Sequence, residues 1–246
     1  MNTARIFLVF LLAFTATPAK AGYTLPLFGS RQNILLIGDS LSVGPFGREM
    51  QSYLTEEYGE NRVFIYAACG SSPENWLDSE PSFLSKCGAR VKTPRLFVHT
   101  EYEKGRPPEP FATPKLTPVL RSARPNVVLV QLGTNWFDVL EGSSSPEALN
   151  RLAAILERFA DTILNSDSHP TLVWITPPDS ERYRRVQADV TKMICSIGQR
   201  KKFRTIDSSK MVHYVMGQSG GDGIHYYGPD ALKWADAVKT RLKRIL

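Results

Sequence analysis

The sequence predicts an α/β protein: one three-layer α/β/α sandwich around a five-stranded parallel sheet, as in flavodoxin-like folds. Five short runs are almost continuous in Val, Ile, Leu and Phe, which is typical of strands that are buried on both faces. Helical patterns separate most of these runs, and such alternation indicates a parallel sheet. The chain is 42% hydrophobic and 22% charged. This ordinary globular composition excludes collagen-like and disordered classes.

The predicted strands and helices follow one another in a regular order. The strands are expected at 33–37, 62–66, 126–131, 171–176 and 203–206. Apolar residues recur at helical spacing after the first, third and fourth strands, and again near the C-terminus. The third-strand helix has a clear start, because Ser145 is a favoured N-cap and Pro146 suits the first helical position.

One stretch, 71–125, departs from this order. Six prolines interrupt it between positions 94 and 118, so no clean helix is expected there, and 96–102 is a candidate strand of a small hairpin. A loop of this length in a compact domain is usually functional. We expect this stretch to be an insertion that forms one wall of a functional site. The alternative is an insertion that only covers hydrophobic surface.

The N-terminus predicts export. Arg5 precedes an apolar run over 6–14, and Ala19-Lys20-Ala21 is a small-x-small cleavage site. This is the pattern of a secretory signal peptide covering 1–21, with the mature domain at 22–246 in the periplasm or outside the cell. The apolar run is too short to span a bilayer, and no later segment is apolar enough, so no stable membrane insertion is expected.

Charge and cysteine content narrow the possible partners. The formal net charge is +6, but the basic residues fall mostly on predicted helix faces and no aromatic residues interleave with them, so nucleic acid is not expected. No Cys or His spacing suits a metal, and no cofactor is predicted. In an oxidising compartment Cys69 and Cys87 would close a modest loop. A pairing that uses Cys195 is the open alternative.

Polar residues follow four of the predicted strands, at the strand ends where open α/β sheets bind ligands. They are Asp39 and Ser40 after the first strand, Gly70 after the second, Asn135 after the third, and 222–225 before the last helix. In this order they resemble the SGNH (GDSL) hydrolase family. The resemblance is strongest at Ile-Gly-Asp-Ser-Leu-Ser (37–42) and Asp-Gly-Ile-His-Tyr (222–226).

The resemblance implies a catalytic triad of Ser40, His225 and Asp222. Ser40 would be the nucleophile, His225 the base that activates it, and Asp222 the carboxylate that orients the imidazole. No Gly-x-Ser-x-Gly elbow surrounds Ser40, which argues against an α/β-hydrolase. The family pattern also implies an oxyanion hole that combines the backbone N–H groups of Ser40 and Gly70 with the Asn135 side-chain amide.

Two further residues are candidate substrate contacts, Asp39 and Trp136. Trp136 stands where many family members have an acidic residue, and it would stack on a sugar, line an acyl pocket or belong to the core. The function implied is an exported serine esterase that removes short acyl groups, above all O-acetyl, from a polysaccharide. The alternatives are a lipolytic esterase or lysophospholipase, an O-acyltransferase, and a non-catalytic envelope binding protein. The oligomeric state is left open.

Overall fold

A computed structural model describes residues 32–103, 105–142 and 145–246. The predicted signal peptide, 1–21, lies outside the described residues, so export stays a prediction. The described strands are β1 (Ile34–Gly38), β2 (Val63–Ala68), β3 (Leu84–Ser85), β4 (Gly88–Thr93), β5 (Leu96–Glu101), β6 (Phe111–Ala112), β7 (Val127–Gln131), β8 (Thr171–Ile175) and β9 (Arg204–Ile206). The described α-helices are α1 (Ser40–Val43), α2 (Pro45–Tyr58), α3 (Leu116–Ala123), α4 (Phe137–Glu141), α5 (Pro146–Leu164), α6 (Arg184–Lys201) and α7 (Gly228–Ile245).

The main sheet has the order β5-β4-β2-β1-β7-β8-β9. Five of its strands, β2-β1-β7-β8-β9, are parallel, and they are the five strands that the apolar runs predict. The predicted α/β/α fold is therefore confirmed. The chain moves outward from β1 in both directions, which opens a crevice at the carboxyl end of β1, where such folds bind ligands.

The expectation of a five-stranded sheet is wrong in one respect, because β4 and β5 widen the sheet to seven strands. They form an antiparallel hairpin that pairs with β2. Leu96–Glu101 is thus a hairpin strand, as expected, but it belongs to the main sheet. The sequence of β4 is Gly-Ala-Arg-Val-Lys-Thr. Because it contains two cationic residues, it is not an apolar run and was not predicted as a strand.

The sheet is buried on both faces, and alternate residues of β1 show this directly. Leu35 and Ile37 belong to one core cluster, together with residues of α3, α5 and α6. Ile34 and Leu36 belong to a second cluster, together with residues of α2 and α7. This two-sided burial explains why β1 is an unbroken apolar run. Within the described residues, no helix combines the length and the apolarity needed to span a membrane.

One predicted helix start is confirmed, and one helix lies within 71–125, where no clean helix was expected. The Ser145 hydroxyl accepts a hydrogen bond from the Ala148 N–H (3.2 Å), and Pro146 is the first residue of α5, as expected. The helix within 71–125 is α3, which was not expected because Pro118 lies within it. A proline is tolerated there because the N–H groups of the first turn have no partner inside the helix.

A disulfide ties the insertion to the main sheet, and a small second sheet joins two parts of the insertion to each other. Cys69, which follows β2, is bonded to Cys87 with a Cα–Cα distance of 5.5 Å, so the predicted pairing is present and Cys195 is free. The strands β3 and β6 pair with each other. The disulfide also fixes the position of Cys69, the residue before Gly70.

Candidate active site

Three side chains from distant parts of the sequence form one hydrogen-bonded chain. Ser40 is the first residue of α1 and lies just beyond the carboxyl end of β1. The Ser40 Oγ lies 2.8 Å from the His225 Nε2, and the His225 Nδ1 lies 2.5 Å from the Asp222 Oδ2. Since Nδ1 faces a carboxylate and Nε2 faces a hydroxyl, the imidazole is placed to accept the serine proton.

The Asp222 carboxylate is held by its own loop. Its Oδ1 accepts hydrogen bonds from the backbone N–H groups of Ile224 (2.9 Å) and His225 (2.8 Å). Burial alone would raise the pKa of Asp222, but the hydrogen bonds from His225 and Ile224 lower it below its ordinary value. Asp222 is therefore ionised at neutral pH, which favours the imidazolium that forms when His225 takes a proton.

Neighbouring loops brace this segment through Gly223. The Gly223 N–H donates to the Tyr214 hydroxyl (3.0 Å), and the Ser180 hydroxyl donates to the Gly223 carbonyl (2.7 Å). Gly223 has a φ of +81°, and a Cβ there would lie 2.7 Å from the Arg182 Cβ, so only glycine fits. Tyr214 and Ser180 were not predicted from the sequence, because nothing in their local patterns shows which loop they support.

The three predicted oxyanion donors lie at the carboxyl ends of β1, β2 and β7. The Ser40 N–H begins α1 and has no acceptor inside the helix. Gly70 has a φ of +84°, and its N–H donates to no acceptor within the described part of the chain. The Asn135 amide donates one N–H to the Ser71 carbonyl (2.8 Å). This bond leaves its second N–H free and places Asn135 beside the Gly70 segment.

Asp39 does not lie where a substrate contact would require it. Its side chain is 0% exposed, and it accepts a hydrogen bond from the Leu41 N–H (3.0 Å), so it caps the N-terminus of α1. The predicted substrate contact is therefore corrected to a structural one. Burial raises the pKa of Asp39 to about 6, and the bonds from Leu41 and Gln131 only partly oppose this rise.

Replacing Asp39 with asparagine is expected to stabilise the protein at alkaline pH. The folded pKa of about 6 exceeds the ordinary value, so folding favours the protonated acid. The associated stability is present below pH 4 and is lost as pH rises to 6. Asparagine keeps the N-cap and carries no charge. The gain in unfolding free energy at pH 8 should be about 3 kcal/mol, since folding raises the pKa from 3.8 to about 6 and one pKa unit is worth about 1.4 kcal/mol.

Urea unfolding of the wild type and of Asp39→Asn between pH 4 and 8 measures the difference between their free energies of unfolding. Asp207→Asn is the matched control, because it replaces an exposed aspartate. A constant difference between the two proteins from pH 4 to 8 would contradict the expected linkage.

Trp136 also requires a correction. Its side chain is 0% exposed, it belongs to the core cluster under α5 and α6, and its Nε1 donates to the Glu74 carboxylate (3.0 Å). It follows Asn135 in a single 3₁₀ turn, Thr134–Trp136, which turns the ring into the core. Of the three alternatives for Trp136, the core position is the one that the structure shows.

A buried arginine of the insertion holds the helix that begins with Ser40. The Arg90 guanidinium donates to the carbonyl of Val43 from Nε (3.1 Å) and Nη2 (2.9 Å), and to Gln51 (3.1 Å). Val43 is the last residue of α1. The strand β4 thus fixes the C-terminal end of α1, the helix that carries Ser40. This role of Arg90 could not be predicted from the sequence.

A small cavity of about 20 Å³ lies beside Ser40. Ser40, His225 and Tyr227 are among its lining residues. On the oxyanion side the Phe83 ring lies against Gly70, so that a Cβ on Gly70 would be 3.1 Å from the Phe83 Cζ. A larger cavity, of about 440 Å³, lies between α3 and α5 and contains none of these residues. Among the residues that the structure describes, no group of three His, Cys, Asp or Glu side chains is arranged to hold a metal ion.

Solved structures share this architecture at low sequence identity. A carbohydrate acetylesterase from Sinorhizobium meliloti superposes with a TM-score of 0.57 and 12% identity over 87% of this chain and 100% of that one. An acetylxylan esterase from Geobacillus stearothermophilus superposes with a TM-score of 0.56 and 14% identity over 87% and 95%. The aryl esterase of M. smegmatis gives 0.54 and 14% over 87% and 100%.

The sequence itself matches neither a protein-family model nor a curated protein. Identities of this size establish a common fold and leave the reaction to be argued from the site. The chain therefore has the three-layer α/β/α fold of these esterase structures.

Proposed function

We propose that the protein is an SGNH-type serine esterase that works through an acyl-enzyme on Ser40. The observation that carries this proposal is the continuous chain from the Ser40 Oγ through His225 to Asp222. The Ser40 oxygen attacks the ester carbonyl while its proton passes to the His225 Nε2. His225 then gives that proton to the departing alcohol. Water, activated by the same imidazole, releases the acid and restores the serine.

The charge that develops on the carbonyl oxygen needs hydrogen-bond donors already in place. The Ser40 N–H, the Gly70 N–H and the free Asn135 N–H supply them. A non-catalytic binding protein would have no use for an aligned serine, imidazole and carboxylate together with three donors. This combination favours the enzyme.

The substrate class that we propose is a short acyl ester, above all O-acetyl, on a glycan. The cavity at Ser40 is small, and the Phe83 ring packs against Gly70, so little room is left beside the oxyanion donors for a long acyl chain. Similar structures include enzymes described as acting on acetylated carbohydrate. The predicted signal peptide would bring the enzyme to envelope or environmental polysaccharide. A lipolytic esterase is disfavoured by the same small cavity.

Hydrolysis of a series of p-nitrophenyl esters tests the reaction and the acyl length together. We expect kcat/KM to be highest for acetyl and to fall steadily through butyryl and octanoyl to palmitoyl, because longer chains meet the Phe83 wall. A steady rise towards palmitoyl would contradict the short-acyl proposal and favour a lipolytic enzyme. Adding a sugar acceptor would reveal an acyltransferase, since transfer and hydrolysis share the acyl-enzyme and differ in the nucleophile that removes it.

A further inference from the structure

The proposed reaction divides the surface around Ser40 into two sides. The carbonyl oxygen must point to the donors at Gly70 and Asn135, because the negative charge develops there. The alcohol oxygen must lie close to His225, because His225 protonates it as it leaves. The alcohol half of the substrate therefore rests on the part of the cavity next to His225.

Tyr227 occupies that part of the cavity. It lines the same cavity as Ser40 and His225, and it is 55% exposed. Its position is set by the backbone, since its N–H donates to the Ser219 carbonyl (2.7 Å) and the next residue begins α7. A flat apolar face is thus held open beside the base.

Two polar side chains of β5 lie on the same side. The His99 Nε2 is 3.1 Å from the Glu101 Oε1, and both side chains are partly exposed. His99 lies opposite Arg90 in the β4–β5 pairing, so the two side chains share one face of the sheet. Arg90 donates to the Val43 carbonyl at the end of α1 (3.1 Å), so this face of β5 is directed towards the helix that begins with Ser40. The pKa of Tyr227 is raised first by burial and then by the Asp222 and Glu101 carboxylates. The insertion thus places a carboxylate and an imidazole, hydrogen-bonded to each other, on the sheet face that carries α1.

We propose that Tyr227, Glu101 and His99 form a subsite for one sugar ring of the alcohol that leaves from the ester. The apolar face of a pyranose stacks on the tyrosine ring, and its hydroxyls reach the carboxylate and imidazole at the edge. An aryl alcohol would use the ring but would offer no hydroxyl to the remaining acceptor positions of the Glu101 carboxylate, which costs free energy when that carboxylate loses water. The small, open cavity also suits a polymer that lies across the surface. This inference rests on the proposed function.

The first experiment compares two acetyl esters that differ only in the alcohol. The measured quantity is the kcat/KM for acetylated xylo-oligosaccharide divided by the kcat/KM for ethyl acetate. We expect Tyr227→Ala to lower this ratio about tenfold, which corresponds to about 1.4 kcal/mol. The change should come mainly from a higher KM for the oligosaccharide. Tyr227→Phe keeps the ring and should retain most of the ratio. Glu101→Gln should lower it by a smaller factor. Tyr102→Ala is the matched control: Tyr102 is 60% exposed but lies outside the cavity lining.

A second experiment needs no catalysis. Titration calorimetry with the deacetylated xylo-oligosaccharide, which is the leaving alcohol, should show weaker binding to Tyr227→Ala than to the wild type and to Tyr102→Ala. Equal binding to all three, or an unchanged ratio of the two esters, would overturn the subsite. If Tyr227→Ala lowered kcat/KM for phenyl acetate but not for the acetylated oligosaccharide, the sugar subsite would be wrong and the site would bind an aryl alcohol. If the wild type hydrolyses no ester, the esterase proposal fails, and the binding measurement still decides the subsite.

Discussion

Ser40→Ala is expected to lower kcat for p-nitrophenyl acetate by roughly 10⁴-fold or more, with the fold intact. The alanine cannot form an acyl-enzyme, and the remaining donors at Gly70 and Asn135 stabilise only the slow attack of water. The Ser40 Oγ has a single described partner, the His225 Nε2, so its removal leaves no buried polar atom of the core unpaired. Steady-state kinetics together with a thermal unfolding curve measure both parts of the expectation.

The triad should behave as a unit. His225→Ala is expected to cost about as much as Ser40→Ala, and the double variant little more than either, because residues that act in one step are not additive. His213→Ala is the matched control, since the His213 side chain is 70% exposed and lies on a neighbouring loop. Near-wild-type hydrolysis by a folded Ser40→Ala protein would refute the mechanism.

Asn135→Ala is expected to lower kcat by about 10²- to 10³-fold with little change in KM. The second N–H of the Asn135 amide acts on the oxygen mainly when that oxygen becomes negative, so its loss raises the barrier and barely affects substrate binding. The first N–H holds the Ser71 carbonyl (2.8 Å), so the substitution also loosens the segment that carries Gly70.

A second substitution at the same position tests the electrostatic role of the amide. Asn135→Asp removes the bond to the Ser71 carbonyl, as Asn135→Ala does, but it also places a negative charge where the amide was. We expect Asn135→Asp to be slower than Asn135→Ala at pH 8, because the carboxylate repels the oxyanion. A variant that changes only KM would show that Asn135 binds substrate and does not stabilise the transition state.

The sequence by itself determined the parallel part of the fold and the residues that meet at its edge. Strands buried on both faces must be apolar throughout, so β1 is visible as an uninterrupted run, and so are its parallel neighbours. Residues just past those strands converge because parallel strands end at the same edge. The strand ends that carry Ser40, Gly70 and Asn135 could therefore be placed at one site from their positions, and the resemblance to the SGNH family singled out these residues and the Asp222–His225 pair.

Only the tertiary structure decided which polar residues are buried and which neighbours they serve. Arg90 and Lys92 are buried in β4, although charged residues normally argue against a buried strand. Arg90 is tolerated because its partner is the Val43 carbonyl, 47 residues away in the sequence. Asp39 and Trp136 are turned away from the substrate surface for the same kind of reason, by contacts with Gln131 and Glu74.

Tyr227 shows the opposite case, an aromatic side chain that the fold leaves exposed. Its neighbour Tyr226 is 2% exposed and packs in the core, and the two have the same chemistry. The turn before α7 directs one ring inward and the other into the cavity beside His225. Burial is a property of the assembled chain, since the free energy of placing a charge or a ring depends on groups that folding brings from distant positions.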